Sequence, residues 1–168
     1  MGVALCPCDG SLGEAEYREV IDRLRLGLDH DPRLLLDPLE EKMRELAAAR
    51  RFEEAAWARD RHRALARAIE RRRAWQALTA AGAIEVESMD GERALIEGGR
   101  LVTSWRNGSP PPLRSAALPS APHLPPDVET AEEADLIWKW VTSGRVVLID
   151  STAPFFLPRV AVPVLAAA

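Results

Sequence analysis

One long helical pattern, opening at Phe52, constrains this chain more than any other feature. Ala55, Ala58, His62, Leu65 and Ile69 recur at alternating spacings of three and four. That spacing places them on one stripe of an α-helix, a coiled-coil-like seam. Asp60, Glu70 and several arginines occupy the flanks. The pattern continues through Trp75 and Leu78 to Gly82, a suitable residue just past a helix end. About 28 helical residues would extend roughly 42 Å. A rod of that length needs an apolar surface to lie against, because propensity alone stabilises it poorly.

The sequence offers such a surface immediately upstream. Asp37-Pro38 reads as a helix start, since Asp caps free amides and Pro suits the first helical position. From there Leu39, Met43 and Leu46 share a stripe, and Arg50-Arg51 marks a tight turn into Phe52. The result is a helical hairpin over residues 36–73. Further upstream, Ser11 and Glu14 have the form of a capping box. The helix they would open carries Tyr17, Val20, Ile21, Leu24 and Leu28 on one face, expected to be buried. Asp29-His30-Asp31-Pro32 stops it.

After Gly82 the period changes from helix to strand. Ile84-Glu85-Val86-Glu87 alternates, Met89-Asp90-Gly91 turns, and Ala94-Leu95-Ile96 returns. Gly98-Gly99 turns again into a third strand, Leu101 to Trp105. A Pro-, Ser- and Ala-rich loop fills 107–127. Thr130 and Glu133 form a second capping box, for a helix carrying Leu136, Ile137, Trp140 and Val141 on one side and closed by Gly144. Arg145 to Asp150 reads as a last strand, followed by an extended tail. The fold class is therefore α+β: N-terminal helices including the hairpin, then a small β-meander with one helix and a further strand. Three segments follow, namely 1–10, a helical region 11–82 and an α+β unit 83–160.

A net charge of −4 argues against a chain that coats nucleic acid through overall basicity. Lys occurs only at 42 and 139, so the many arginines reflect composition as much as phosphate binding. No apolar run reaches the length of a membrane span, and the first ten residues lack a signal-peptide pattern. The expected setting is soluble and cytoplasmic, with no membrane partner. Cys6 and Cys8 lie too close together to staple a fold and read as reduced thiols.

Phe52-Glu53, Ala55-Ala56 and Arg59-Asp60, in that order, resemble the UVR motif, the helical hairpin shared by the UvrB and UvrC proteins of the bacterial excinuclease. Leu39, Met43, Leu46 and Ala48 are similar to its first helix. Pro7 through Tyr17 resembles the junction that follows the cysteine-rich region of UvrC proteins. The likeness covers residues 4–73 and implies nucleotide excision repair. The nearest variant it suggests is a fused repair nuclease that joins an exonuclease domain, a GIY-YIG endonuclease domain and a tail of this kind. On that resemblance the chain corresponds to the tail, with the cutting domains elsewhere. It departs from the motif at Ala58, where a larger aliphatic residue is usual, and at His62, where Ile or Leu is usual.

What the resemblance implies is a non-catalytic interaction region. Leu39, Met43, Leu46, Phe52, Ala55, Ala56, Leu65 and Ile69 would dock on another UVR-type hairpin or on a helicase subunit, with DNA contacted only indirectly or weakly. Arg59 and Asp60 would bond across the hairpin or to the partner. Phe52 is the expected anchor, shielded from solvent, so that Phe52→Ala weakens association or unfolds the hairpin. The alternative is a nucleic-acid-binding accessory domain using Arg63, Arg67 and Arg71, a basic row at helical spacing.

The remaining candidates carry less. The family's iron–sulfur or zinc site needs four thiolates, and Cys6 and Cys8 supply two, so no cofactor is expected unless further cysteines contribute. His62 on the seam could titrate, yet a packed ring is the commoner arrangement. Trp105, Trp138 and Trp140 could form a base-stacking platform, with core packing of Trp140 the simpler expectation. Asp127, Glu129, Glu132, Glu133 and Asp135 cluster where a helix dipole favours acids. No phosphate loop, nucleophile elbow or His pair marks a catalytic centre.

Overall fold

The described residues are 13–106 and 124–165 of a computed structural model. Their order is α1 (Glu14–Asp29), α2 (Arg33–Ala48), α3 (Phe52–Ala80), β1 (Ala83–Ser88), β2 (Glu92–Glu97), β3 (Arg100–Arg106), α4 (Val128–Val141) and β4 (Val146–Ser151). The molecule is thus α+β, with helices first and a four-stranded antiparallel sheet after them. Two compact units emerge, one reaching Ile69 and including the residues from Val160, the other Glu70–Arg159. The division falls within α3.

In the first unit, both helix starts differ from the sequence expectation. Ser11 lies outside the described residues, and Gly13 stands at the N-cap of α1, its amide donating to Glu16 Oε2 at 3.0 Å. For α2 the operative pair is Asp31-Pro32, not Asp37-Pro38. Asp31 Oδ1 accepts from the Arg33 amide at 3.1 Å, while the Pro32 carbonyl accepts from Leu35 and Leu36. Both Asp-Pro pairs carry the same start signal. The earlier one wins because it lets Pro32 and Leu36 be buried, Leu36 completely. Pro38 is then tolerated inside the helix at the cost of one backbone hydrogen bond.

The turn between α2 and α3 is closed by backbone geometry. Arg51 N donates to the Leu46 carbonyl and Arg50 N to that of Ala47, both at 2.9 Å, the paired bonds of a Schellman motif. Arg50 occupies its left-handed position, φ 59°, where glycine is usual. Arg50→Gly should therefore stabilise the unit by about 1 kcal/mol, since a Cβ there is strained. An unchanged or lower urea midpoint for that variant would contradict this account of the turn.

In the second unit the sheet order is β3-β2-β1-β4. Alternation sends Ile84, Val86, Ala94 and Ile96 to one face, where they pack with Trp75, Leu78 and Ala81 of α3 and Ala134 and Ile137 of α4. On the other face Arg93 bridges Glu85 at 3.2 Å and Glu87 at 2.8 Å. The connection between β2 and β3 is Gly98-Gly99, with φ of 57° and 81°. Two positive φ values are what a two-residue hairpin loop of the I′ type requires. β4 is laced to the start of β1: Thr152 N donates to the Ala83 carbonyl at 2.9 Å and Ala83 N to Thr152 Oγ1 at 2.7 Å.

α4 begins three residues earlier than a capping box at Thr130 and Glu133 implies. Asp127 is the cap, its Oδ1 accepting from Thr130 N at 2.7 Å. Glu133 is used elsewhere, accepting from Arg100 Nε at 3.0 Å and Leu101 N at 2.8 Å, and so ties α4 to β3. This rotates the inward face to Thr130, Ala134 and Ile137 and leaves Leu136 exposed. The hydrogen bond from the Thr130 amide holds the Asp127 carboxyl below its ordinary pKa. A depressed folded-state pKa means that its stabilisation is present above the unfolded value and is lost as pH falls through the folded one. Below about pH 4 the wild-type urea midpoint should fall more steeply than that of Asp127→Asn, which caps without titrating. Parallel curves would remove Asp127 from the acid response.

Candidate docking groove

The hairpin's interior is small. Leu46, Ala55 and Ala58 form its core, with Met43 packed against them. Two alanines across from a leucine let the helices approach closely, as the seam spacing suggests. Ile69 is fully enclosed and His62 is 1% exposed, while Leu65 is half-buried. Among the described residues neither ring nitrogen of His62 has a hydrogen-bond partner. A polar ring therefore occupies a seam position, packed but unsatisfied.

Beside this core, α2, the turn and α3 enclose an open groove of about 910 Å³. Its walls are Pro38, Leu39, Lys42 and Leu46 on one side and Arg51, Glu54, Trp57, Ala58 and Arg61 on the other. The floor is apolar and the rim charged. Trp57, one of the lining residues, is 63% exposed, with most of its surface in water. Arg51 Nε donates to Glu54 Oε1 at 2.6 Å, which fixes the rim next to the turn and raises the guanidinium pKa. The cleft thus combines a large exposed ring, aliphatic walls and charged edges.

The structure divides the residues that the sequence nominates for partner binding. Leu46 and Ala55 are spent on the hairpin's own core, and Ile69 is fully buried. Leu39, Met43, Ala56 and Leu65 are half-buried. Phe52 is 67% exposed, not shielded, and it does not line the groove. It lies five positions before Trp57, which on a helix puts the two rings on different sides. Truncating Phe52 would thus leave the hairpin's core untouched, contrary to the unfolding expected of Phe52→Ala. Arg59 and Asp60 do not reach across the hairpin. They pair with each other, Arg59 Nε to Asp60 Oδ1 at 3.1 Å. Trp57, Lys42 and Arg61 escape the sequence reading, although Trp57 at a non-seam position of α3 is a visible signal.

Arg63, Arg67 and Arg71, the basic row, are exposed on α3. Trp138 and Trp140 are both half-buried against the second unit's core, and Trp138 meets Phe155 edge-on with centroids 6.0 Å apart. Of the acids on α4, Asp127 caps the helix, Glu133 binds β3 and Asp135 pairs with Lys139 at 2.7 Å. Cys6 and Cys8 lie outside the described residues. Among the described residues there is no cluster of His, Cys, Asp or Glu able to hold a metal, and no helix long and apolar enough to cross a membrane.

No protein-family model matches the chain, and no solved structure does. Curated relatives do. UvrABC system protein C of Haloarcula marismortui is 31% identical over 119 residues, 64% of this chain and 20% of the relative. The proteins of the same name from Moorella thermoacetica and Halobacterium salinarum are 33% and 39% identical, covering 56% and 36% of this chain. The chain spans a tenth to a fifth of these relatives' length. It contains a UvrC-like region.

Proposed function

We infer that this chain, with its UvrC-like region, serves nucleotide excision repair as a non-catalytic interaction region that docks its α2–α3 hairpin on a partner subunit. The observation that carries the reading is the groove between α2 and α3, open, apolar and overhung by an exposed Trp57. Its walls suit an apolar helix edge, such as another UVR-type hairpin or a segment of the excision helicase subunit. In this reading cleavage belongs to nuclease domains of the GIY-YIG or exonuclease type outside this region. Docking needs no cofactor, and a cluster at Cys6 and Cys8 would require further thiolates.

Replacement of Trp57 tests the reading most directly. Trp57→Ala should weaken binding to the excision helicase subunit at least about tenfold, measured by titration calorimetry, with circular dichroism unchanged. Apolar docking should also tolerate salt. An unaltered Kd for Trp57→Ala would sink the proposal. Binding to DNA that falls steeply with salt, and is lost when Arg63, Arg67 and Arg71 become Gln, would favour the nucleic-acid reading instead.

A further inference from the structure

α1 is the least covered helix of the first unit. Residues 14–20 are all exposed, and Tyr17, Val20 and Leu24 keep 40–43% of their surface in water. These three lie on one helical stripe, the face expected to be buried. Among the described residues the close contact lies at the far end of α1, where Gly27 is buried. A Cβ added at Gly27 would stand 2.4 Å from Leu35 Cγ, so α1 and α2 touch there without room for a side chain. A 16-residue helix anchored at one end is marginal alone in water. Its stripe calls for a surface.

The groove is an open, largely apolar surface. From Tyr17 to Leu24 the stripe measures about 10 Å, and the α2 wall from Pro38 to Leu46 about 12 Å, at 1.5 Å per residue. The charges are opposite in sense. Lys42, Arg51 and Arg61 outnumber Glu54 on the groove, while Glu14, Glu16 and Glu19 outnumber Arg18 on the first half of α1. Within a single chain the two features stay apart, since no α1 residue lines the groove.

We propose that the groove's occupant is α1 of a second copy of this chain, exchanged reciprocally. Each protomer's Tyr17, Val20 and Leu24 then fill the other's α2–α3 groove against Trp57. The proposal rests on the reading of the groove as a helix-docking site and gives its occupant in the free protein, which the helicase subunit would displace on binding. Reciprocity makes the contact isologous and doubles it, which is how a small cleft sustains a dimer.

The test is sedimentation equilibrium of the full chain across micromolar concentrations. Wild type should be a dimer. Val20→Glu with Leu24→Glu, on exposed positions, should weaken dimerisation at least about tenfold, and Trp57→Ala should do the same. Mixing the two variants should recover association in part, weaker than wild type but stronger than either variant alone, because the pair retains one intact helix and one intact groove. A monomeric wild type overturns the proposal, including the case where hydrogen exchange shows α1 protected within the monomer. So does a dimer that survives Trp57→Ala, or a mixture that fails to associate. The helicase-binding titration above reads the parent proposal separately. A monomer whose helicase binding still depends on Trp57 would sink the exchange alone.

Discussion

Gly99→Ala should destabilise the second unit by about 2–5 kcal/mol. Two costs add. At φ 81° a Cβ is strained, and the methyl would lie 2.9 Å from Trp75 Cζ3, a ring that is 3% exposed and cannot swing away. Gly91→Ala separates them. Its φ of 75° imposes the same backbone strain, yet nothing stands within 4 Å of the added carbon. Urea unfolding should therefore show a loss of about 1–2 kcal/mol at Gly91 and clearly more at Gly99. Equal losses would mean that Trp75 does not press on the turn.

His62→Leu should do the opposite and raise stability by about 1–3 kcal/mol. The imidazole is almost wholly buried, and both its nitrogens lack partners among the described residues. Leucine has similar bulk, leaves no polar atom unsatisfied and suits a seam position. His62→Asn is the control, retaining unsatisfied polar atoms in a smaller side chain, and should gain nothing. If the leucine variant proved less stable than wild type, the ring nitrogens must serve a partner that the folded chain provides, and the seam would need a different account.

Much of the architecture was legible because it rests on period. The shift from the 3-4 spacing around Ala55, Ala58 and Ile69 to alternation at Ile84 and Val86 separates helix from sheet without further help. The double glycine at 98–99 likewise announces its turn. Boundaries were less legible. Asp31-Pro32 and Asp37-Pro38 are equivalent as start signals, and only the burial of Pro32 and Leu36 decides between them. At α4, Asp127 takes the cap because Glu133 is engaged by Arg100 and Leu101, a contact 32 residues distant that no local pattern reveals. The site was legible only in part. Seam spacing finds the residues that a helix pair buries against itself, whereas the candidate groove is built from the adjoining positions, including Trp57. Apolar stripes also do not state whether they are covered, and α1 is the case in which the stripe stays in water.

The lacing of β4 to β1 has a consequence for how the protein is made. β1 lies inside the sheet, flanked by a strand that follows it at once and by another that begins only at Val146. During synthesis the hairpin of α2 and α3 can close as soon as it emerges, while β1 waits with one edge bare until the ribosome has delivered residues up to Thr152. Premature termination in that interval would release a product carrying an open, apolar strand edge, the kind of template on which chains stack into aggregates.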